Sequence, residues 1–169
     1  MNDPRKVRIE NVKSLLQEIC HVAIATVNED GSPHNTPVFA GISNDLRIFW
    51  ASHPDSVHSQ NIDRSERAFI VLFDSINKGE GLYINAAARK VSTEMFDEGL
   101  KVLNDTRTRR GRNIVAKDKF SDTTQVLYYA EPIELWVNAV ERDQLDNIIR
   151  DYRFEVSLED LKHVDGAGV

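Results

Sequence analysis

One cysteine, Cys20, stands in a chain of 169 residues. That excludes an intrachain disulfide framework and any site built from several cysteines. No window approaches the ~20 consecutive apolar residues that a membrane-spanning helix needs, and the mean hydropathy is −0.41. The opening Met1-Asn2-Asp3-Pro4-Arg5-Lys6 lacks the apolar run of a secretory signal. The net charge is −6 and the pI is about 5.4, which argues against a protein whose main task is to coat nucleic acid, since such affinity rests on Lys and Arg neutralising phosphates. These absences point to the cytoplasm. Several chemical signatures are missing too. There is no Gly-x-x-x-x-Gly-Lys, no Gly-x-Gly-x-x-Gly and no Gly-x-Ser-x-Gly. The histidines are His21, His34, His53, His58 and His163. His53 and His58 are off the i, i+4 spacing of a zinc helix, so no metal site is expected.

What is present reads as one domain. The composition, 41% hydrophobic and 28% charged, is that of an ordinary globular protein. Asp3-Pro4 suits a helix start, and Val12, Leu15, Leu16 and Ile19 fall at i, i+3, i+4, i+7 on one apolar face. The period then changes. Residues 22–27 form a β-branched strand ending at the Asp30-Gly31 turn, residues 34–40 return, a turn follows at 41–45, and residues 46–51 make a third strand. Pro54 opens a short helix to about Ile62. Strands are expected at 67–73 and 82–91 around a turn at 77–81. A helix runs from Ser92 or Thr93 to Leu103, with Phe96, Leu100 and Leu103 on one face. Residues 104–124 are polar and read as loop. Strand character returns at 125–129 and 133–137, where Pro132 demands an interruption, an edge or a bulge. Leu145, Ile148, Ile149 and Tyr152 have helical spacing. The fold class is therefore mainly β with helices. Its six antiparallel strands suit a small closed or partly closed barrel, which leaves few exposed strand edges.

One segment offers anion chemistry. Ser52-His53-Pro54-Asp55-Ser56-Val57-His58-Ser59-Gln60-Asn61 follows a strand and opens a helix, where free amides and the helix dipole favour an anion. The same serines also serve simply as helix caps. A basic stretch, Asp105-Thr106-Arg107-Thr108-Arg109-Arg110-Gly111-Arg112, reads either as an anion site or as a solvated loop. Cys20 beside His21 reads as a small buried apolar residue. Trp50, Trp136, Tyr128 and Tyr129 read as core or interface aromatics before they read as partners for a flat ligand.

The order of these pieces resembles a known family. Residues 22–27, then Asp30-Gly31-Ser32-Pro33-His34-Asn35-Thr36-Pro37-Val38-Phe39, then 46–52, then a short helix ending Gln60-Asn61-Ile62, resemble the pyridoxamine 5'-phosphate oxidase-like, FMN-binding split-barrel family. Residues 67–73 and 82–88 match its next two strands, and 133–137 its closing strand. The likeness covers residues 10–140.

It implies a six-stranded antiparallel split β-barrel over residues 1–153, with N- and C-terminal helices and a flexible tail at 154–169. It further implies a homodimer with FMN in clefts between the subunits, and redox chemistry on a small molecule with a nicotinamide or another donor. By position, Thr36, Pro37, Val38 and Phe39 would lie beside the flavin ring. Ala51 and Ser52 would lie near the ribityl chain or phosphate, and Gln60 near the flavin. Ser56, Val57 and His58 occupy places where the family often has Ser, Arg and Lys on the phosphate. Val57 is no donor, and His58 is a pH-dependent cation. Arg89 or the arginines at 107–112 are candidates to make up the charge. The family's C-terminal Arg-containing substrate motif is absent. A non-catalytic carrier of flavin, haem or a deazaflavin is the alternative, with His34, His53 or His58 as a haem ligand.

Overall fold

Pairing between distant β-branched segments organises the chain. The computed structural model describes residues 4–74, 81–122, 124–145 and 147–162. Asp3, the turn at 77–80, His163 and the last residues of the expected tail lie outside the described residues. The elements are α1 (Pro4–Glu18), β1 (His21–Val27), β2 (Pro33–Ile42), β3 (Ile48–Ser52), α2 (Val57–Ser65), β4 (Arg67–Phe73), β5 (Gly81–Lys90), α3 (Phe96–Arg109), β6 (Val126–Arg142), β7 (Ile148–Val156) and α4 (Leu158–Lys162), with a 3-10 turn at Lys117–Phe120.

All strand pairs are antiparallel, in the order β3-β2-β1-β4-β5-β6-β7, and β3 also pairs with β6. Six strands thus form a ring, and β7 stands outside it. Inside sit Ile24, Ile48, Trp50, Ile70, Leu82, Ile84 and Tyr128, each almost wholly buried. Along β1 the alternation is strict, with Val22, Ile24 and Thr26 buried, as one inward face of a pleated strand requires. The expected apolar face of α1 packs on this core through Val12, Leu15 and Leu16.

The strand β6 is the longest, at 17 residues. Residues 126–130 pair with β3, 128–137 with β5 and 135–142 with β7. Pro132 does not end it. The register opposite β5 steps from Asn85↔Glu134 to Ala86↔Pro132, so Ile133 is the extra residue of a bulge. On its other edge, Pro132 lies where β6 has left β3 and has not yet met β7. A residue without an N–H fits there.

The structure corrects several expectations. The described residues form seven strands, because 125–129 and 133–137 merge and residues 148–156 form β7. The helix expected through Leu145, Ile148, Ile149 and Tyr152 is absent, and all four of these residues are exposed, so their helical spacing marks no buried face. Residues 154–162, expected within a flexible tail, end β7 and form α4, burying Val156 and Leu161 in the main core. Part of the expected loop 104–124 is helix, since α3 continues to Arg109. α2 begins at Val57 rather than Pro54 and continues to Ser65, where Glu66 in the left-handed region (φ 52°) stops it.

A second apolar cluster, Leu100, Leu103 and Leu127 with Phe39, Ala51 and Phe96, joins α3 to the outside of the ring. Two glycines permit this approach. A Cβ at Gly41 would stand 2.6 Å from the Val102 carbonyl oxygen, and one at Gly99 would meet the Phe49 ring at 2.7 Å. The backbone of α3 cannot yield without leaving the sheet. Gly41→Ala is expected to destabilise the protein by about 1–3 kcal/mol through overpacking. A chemical denaturation curve superimposable on the parent's would contradict this account of the contact.

Candidate functional site

β2 and β3 pair only at Ala40↔Trp50, Gly41↔Phe49 and Ile42↔Ile48. Beyond that point β3 stays with β6 down to Ser52↔Val126, while β2 stays with β1 up to Val27↔Pro33. The two strands therefore part, and β2 has an unpaired edge over residues 33–39. The Ala40 amide donates to the Cys20 carbonyl at 2.8 Å and the Asn28 amide to the Ser32 carbonyl at 2.9 Å. By the alternation of antiparallel ladders, the backbone groups of Asn35, Pro37 and Phe39 then face the free edge. Pro37 contributes a carbonyl but no N–H, which blunts the edge against strand addition.

At the end of β3 the chain turns through residues 53–56, and α2 begins. Ser52 Oγ lies 2.8 Å from His58 Nε2 and 3.1 Å from Ser56 Oγ. Ser56 Oγ lies 3.3 Å from the same His58 nitrogen, 2.8 Å from Ser59 Oγ and 2.8 Å from the His53 carbonyl. Ser56 is the N-cap residue of α2, yet its side chain makes no capping hydrogen bond. The hydroxyl is engaged sideways, so it leaves the first-turn amides open to an incoming acceptor. His58 is 7% exposed. Burial holds its imidazole below the ordinary value, and the neighbouring His34 pushes the same way.

α2 is fixed to the β1–β2 hairpin by polar contacts that sequence reading did not supply. The buried Asn61 amide donates to Thr26 Oγ1 (3.0 Å) and Asn28 Oδ1 (2.8 Å). Arg64 donates to Asn61 Oδ1 (2.9 Å) and to the Val27 carbonyl (2.6 Å). Lys90 on β5 pairs with Asp63 at 2.7 Å. Among the described residues, the buried Trp50 indole N–H has no hydrogen-bond partner, and the buried Tyr128 hydroxyl has none of good geometry, although Ser59 and Asp63 lie near it. Burial pushes the Tyr128 phenol upward.

Of the residues singled out in the sequence, Ser52, Ser56 and His58 are brought together. Thr36 and Val38 share the inward face of β2 with His34, opposite Ile24, Val22 and Thr26. Pro37 is exposed and faces outward. Phe39 and Ala51 pack beneath α3. Gln60 is exposed on α2. Arg89 pairs across from Tyr129 on the outer face of β5, while the adjacent Lys90 takes the inner one. Trp50 stacks on Tyr128 inside the ring (5.9 Å) and Phe49 on Tyr129 (6.0 Å). Trp136 stacks on Phe69 on the outer face, at 6.4 Å.

The basic stretch is largely structural. Arg107 and Arg112 lie over the Phe39 ring at 5.5 and 4.8 Å. Arg110 donates to the Gln17 and Glu18 carbonyls at the end of α1, where a cation complements the helix dipole. Arg109 lines a hollow of about 460 Å³ with Asp45, Arg47, Glu98 and Asp105. Among the described residues, no helix is long and apolar enough to cross a membrane, and no group of three or more His, Cys, Asp or Glu side chains could hold a metal ion.

Residues 9–127 match the family model of pyridoxamine 5'-phosphate oxidase. Among solved structures, a haem-binding protein from Mycobacterium smegmatis aligns with a TM-score of 0.66 and 11% identity, covering 92% of this chain and 60% of that one. The chain thus spans less than two thirds of that protein's length. A Clostridium acetobutylicum protein of the pyridoxinephosphate oxidase family, related to general stress protein 26 of B. subtilis, aligns at 0.60 with 10% identity, covering 89% and 96%. An F420 reductase aligns at 0.57 with 15% identity, covering 73% and 94%. Among curated proteins, no sequence matches.

The buried His58 gives a pH dependence with a definite sign. Its folded pKa lies below the unfolded one, so the unfolded chain binds more protons in the window between the two. Stability is full above about pH 6.5 and declines as the pH falls through that window. The melting temperature should drop between about pH 7 and 5.5, before most carboxylates titrate, and His58→Gln should flatten the decline. An identical decline in His58→Gln would refute the assignment.

Proposed function

The chain belongs to the pyridoxamine 5'-phosphate oxidase family, and from that we propose that it is an FMN-binding oxidoreductase acting on a small molecule. The observation that carries this reading is the parting of β2 from β3, with Ser52, Ser56 and His58 gathered at the mouth beside the open amides of α2. Hydroxyls, amides and an imidazole are donors suited to a phosphate. The unpaired edge of β2 suits the polar rim of a flat heterocycle. Val57 and His58 leave the phosphate without a permanent cation, so the fit to FMN is a weaker version of the family's.

Bound FMN would supply the electron or hydride transfer, as flavins do. The chain's part is to hold and orient. The hydroxyls of Ser52 and Ser56, the His58 imidazole and the first amides of α2 would seat the phosphate. The backbone of residues 36–39 would align the ring, and the inward Thr36 and Val38 would exclude water from one side of it.

We place a second subunit on the outer face of β1, β4, β5 and β6. This face carries the stacked Phe69 and Trp136, the exposed Val27 and Phe73, and an apolar hollow of about 330 Å³ lined by Ala25, Val27, Pro33 and Phe69. The single cysteine accords with work in a reducing, cytoplasmic compartment. A second reading, a non-catalytic carrier of haem or a deazaflavin, is favoured by two histidines, His34 and His58, close enough to influence each other.

Protein incubated with FMN and passed through gel filtration should retain an oxidised flavin spectrum, and Ser56→Ala should weaken retention. His58→Lys should tighten FMN roughly tenfold or more near neutral pH, because a hydrogen bond to a charged group contributes about 1.5–3 kcal/mol. A protein that stays colourless with FMN ends the flavin reading, and a Soret band in the purified protein would replace it with haem.

A further inference from the structure

Among the described residues, the cations around Ser52, Ser56 and His58 are engaged, while Arg107 and Arg112 lie over the Phe39 ring. Lys90 is committed to Asp63 at 2.7 Å, and Arg64 donates to Val27 and Asn61. His53 is exposed and turned toward Asp55, at 3.8 Å. Ser52, Ser56 and Ser59 are neutral, and Val57 is an exposed aliphatic side chain. Two imidazoles remain. His58 comes from the first turn of α2, with Nε2 already against the Ser52 and Ser56 hydroxyls. His34 comes from the inward face of β2, across from Thr26, and its charge acts on His58. The nearby phenol of Tyr128 on β6 is pushed up by burial, and the Lys90 ammonium is pushed up chiefly by its hydrogen bond to Asp63. Both therefore keep their protons across the neutral range.

Resting on the phosphate reading above, we propose that His34 and His58 together form a proton-loaded anion seat: a phosphoryl dianion binds along with protons that these imidazoles take up from water. Burial disfavours charge on His58, and a charge on His34 disfavours it further, so protonation of His58 is opposed while the seat holds no anion. A dianion reverses both terms, because an opposite charge within a few ångströms favours the protonated ring. Once protonated, each ring donates from both nitrogens, and His58 Nε2 can turn its bond from a serine hydroxyl to a phosphoryl oxygen. No bond to phosphorus forms or breaks, and the only transfer is of protons from solvent. His34, which nothing in the sequence marked as a phosphate residue, becomes the second cation. Affinity then rises as the pH falls, by up to tenfold per pH unit for each proton taken up. The gain ends near pH ~6, where the phosphate begins to reclaim its own second proton.

The test measures dissociation constants of FMN and of riboflavin, which lacks the phosphate, by flavin fluorescence on the full chain. The range is about pH 6 to 8.5 at constant ionic strength. FMN should tighten several-fold to tenfold per unit on descending from about pH 8 to 6.5, while riboflavin stays level. His58→Lys should reduce the slope and tighten FMN at the high-pH end, His34→Asn should also reduce the slope, and the double variant His34→Asn/His58→Lys should abolish it. Equal slopes for FMN and riboflavin would overturn the proposal, as would an FMN slope unchanged in both histidine variants. Tight FMN binding with no pH dependence would remove this proposal alone. No saturable FMN binding at any pH would remove the flavin reading, and this proposal with it.

Discussion

Everything at the candidate site depends on the ladder between β3 and β6. Five residue pairs, from Ile48↔Ala130 to Ser52↔Val126, hold β3 against β6, and the last two, at Ala51 and Ser52, continue after β3 has left β2. The ladder closes the ring and so encloses one continuous core. It also opens the mouth, because β2 follows β1 instead. Removing the interior side chains from water supplies the driving force, at about 25 cal/mol per Å² of apolar surface. The antiparallel register then fixes where Ser52 stands. A site of this kind needs no dedicated scaffold loop. It sits where two neighbouring strands take different partners.

The short-range features of the fold were legible in the residues. Asp30-Gly31 announced the first hairpin, and Gly31 does take a positive φ of 83°. The apolar stripe of α1 and the continuous run 68–73 were equally plain. Pro132 signalled an irregularity correctly, but whether the strand resumes after it depends on β5 and β7 lying alongside. The misreading of residues 145–152 has the same root. Helical spacing is informative only when a face is buried, and in β7 Ile148, Ile149 and Tyr152 are exposed. Backbone pairing with β6 decided that segment. α3 was cut short because Asn104 to Arg109 is polar, yet Thr106 is buried beneath it, and Asn104 exchanges hydrogen bonds with the Val115 backbone.

The site shows the same division. Ser52, Ser56 and His58 lie within seven residues, so their gathering followed from one turn. His34, Asn61 and the Lys90–Asp63 pair meet only through the tertiary arrangement of β1, β2, α2 and β5. Composition offered no sign of them. Arg89 and Lys90 illustrate the point, because adjacent strand residues face opposite ways and only the pairing says which faces α2. The arginines at 107–112 carried a strong compositional signal for anion binding. In the structure Arg107 and Arg110 donate to backbone carbonyls, and Arg107 and Arg112 lie over the Phe39 ring.

The ladder that closes the ring also bears on the order in which the chain folds. It joins residue 48 to residue 130, whereas the β1–β2 and β4–β5 pairs are local hairpins. Hairpins form in roughly microseconds, but a contact between such distant residues must first overcome a larger loop-closure entropy. Ser52 therefore takes its place after the hairpins exist, and the mouth it lines is among the last parts of the molecule to be assembled. A ligand held there would bind only the finished ring and would draw the slowest step of folding to completion.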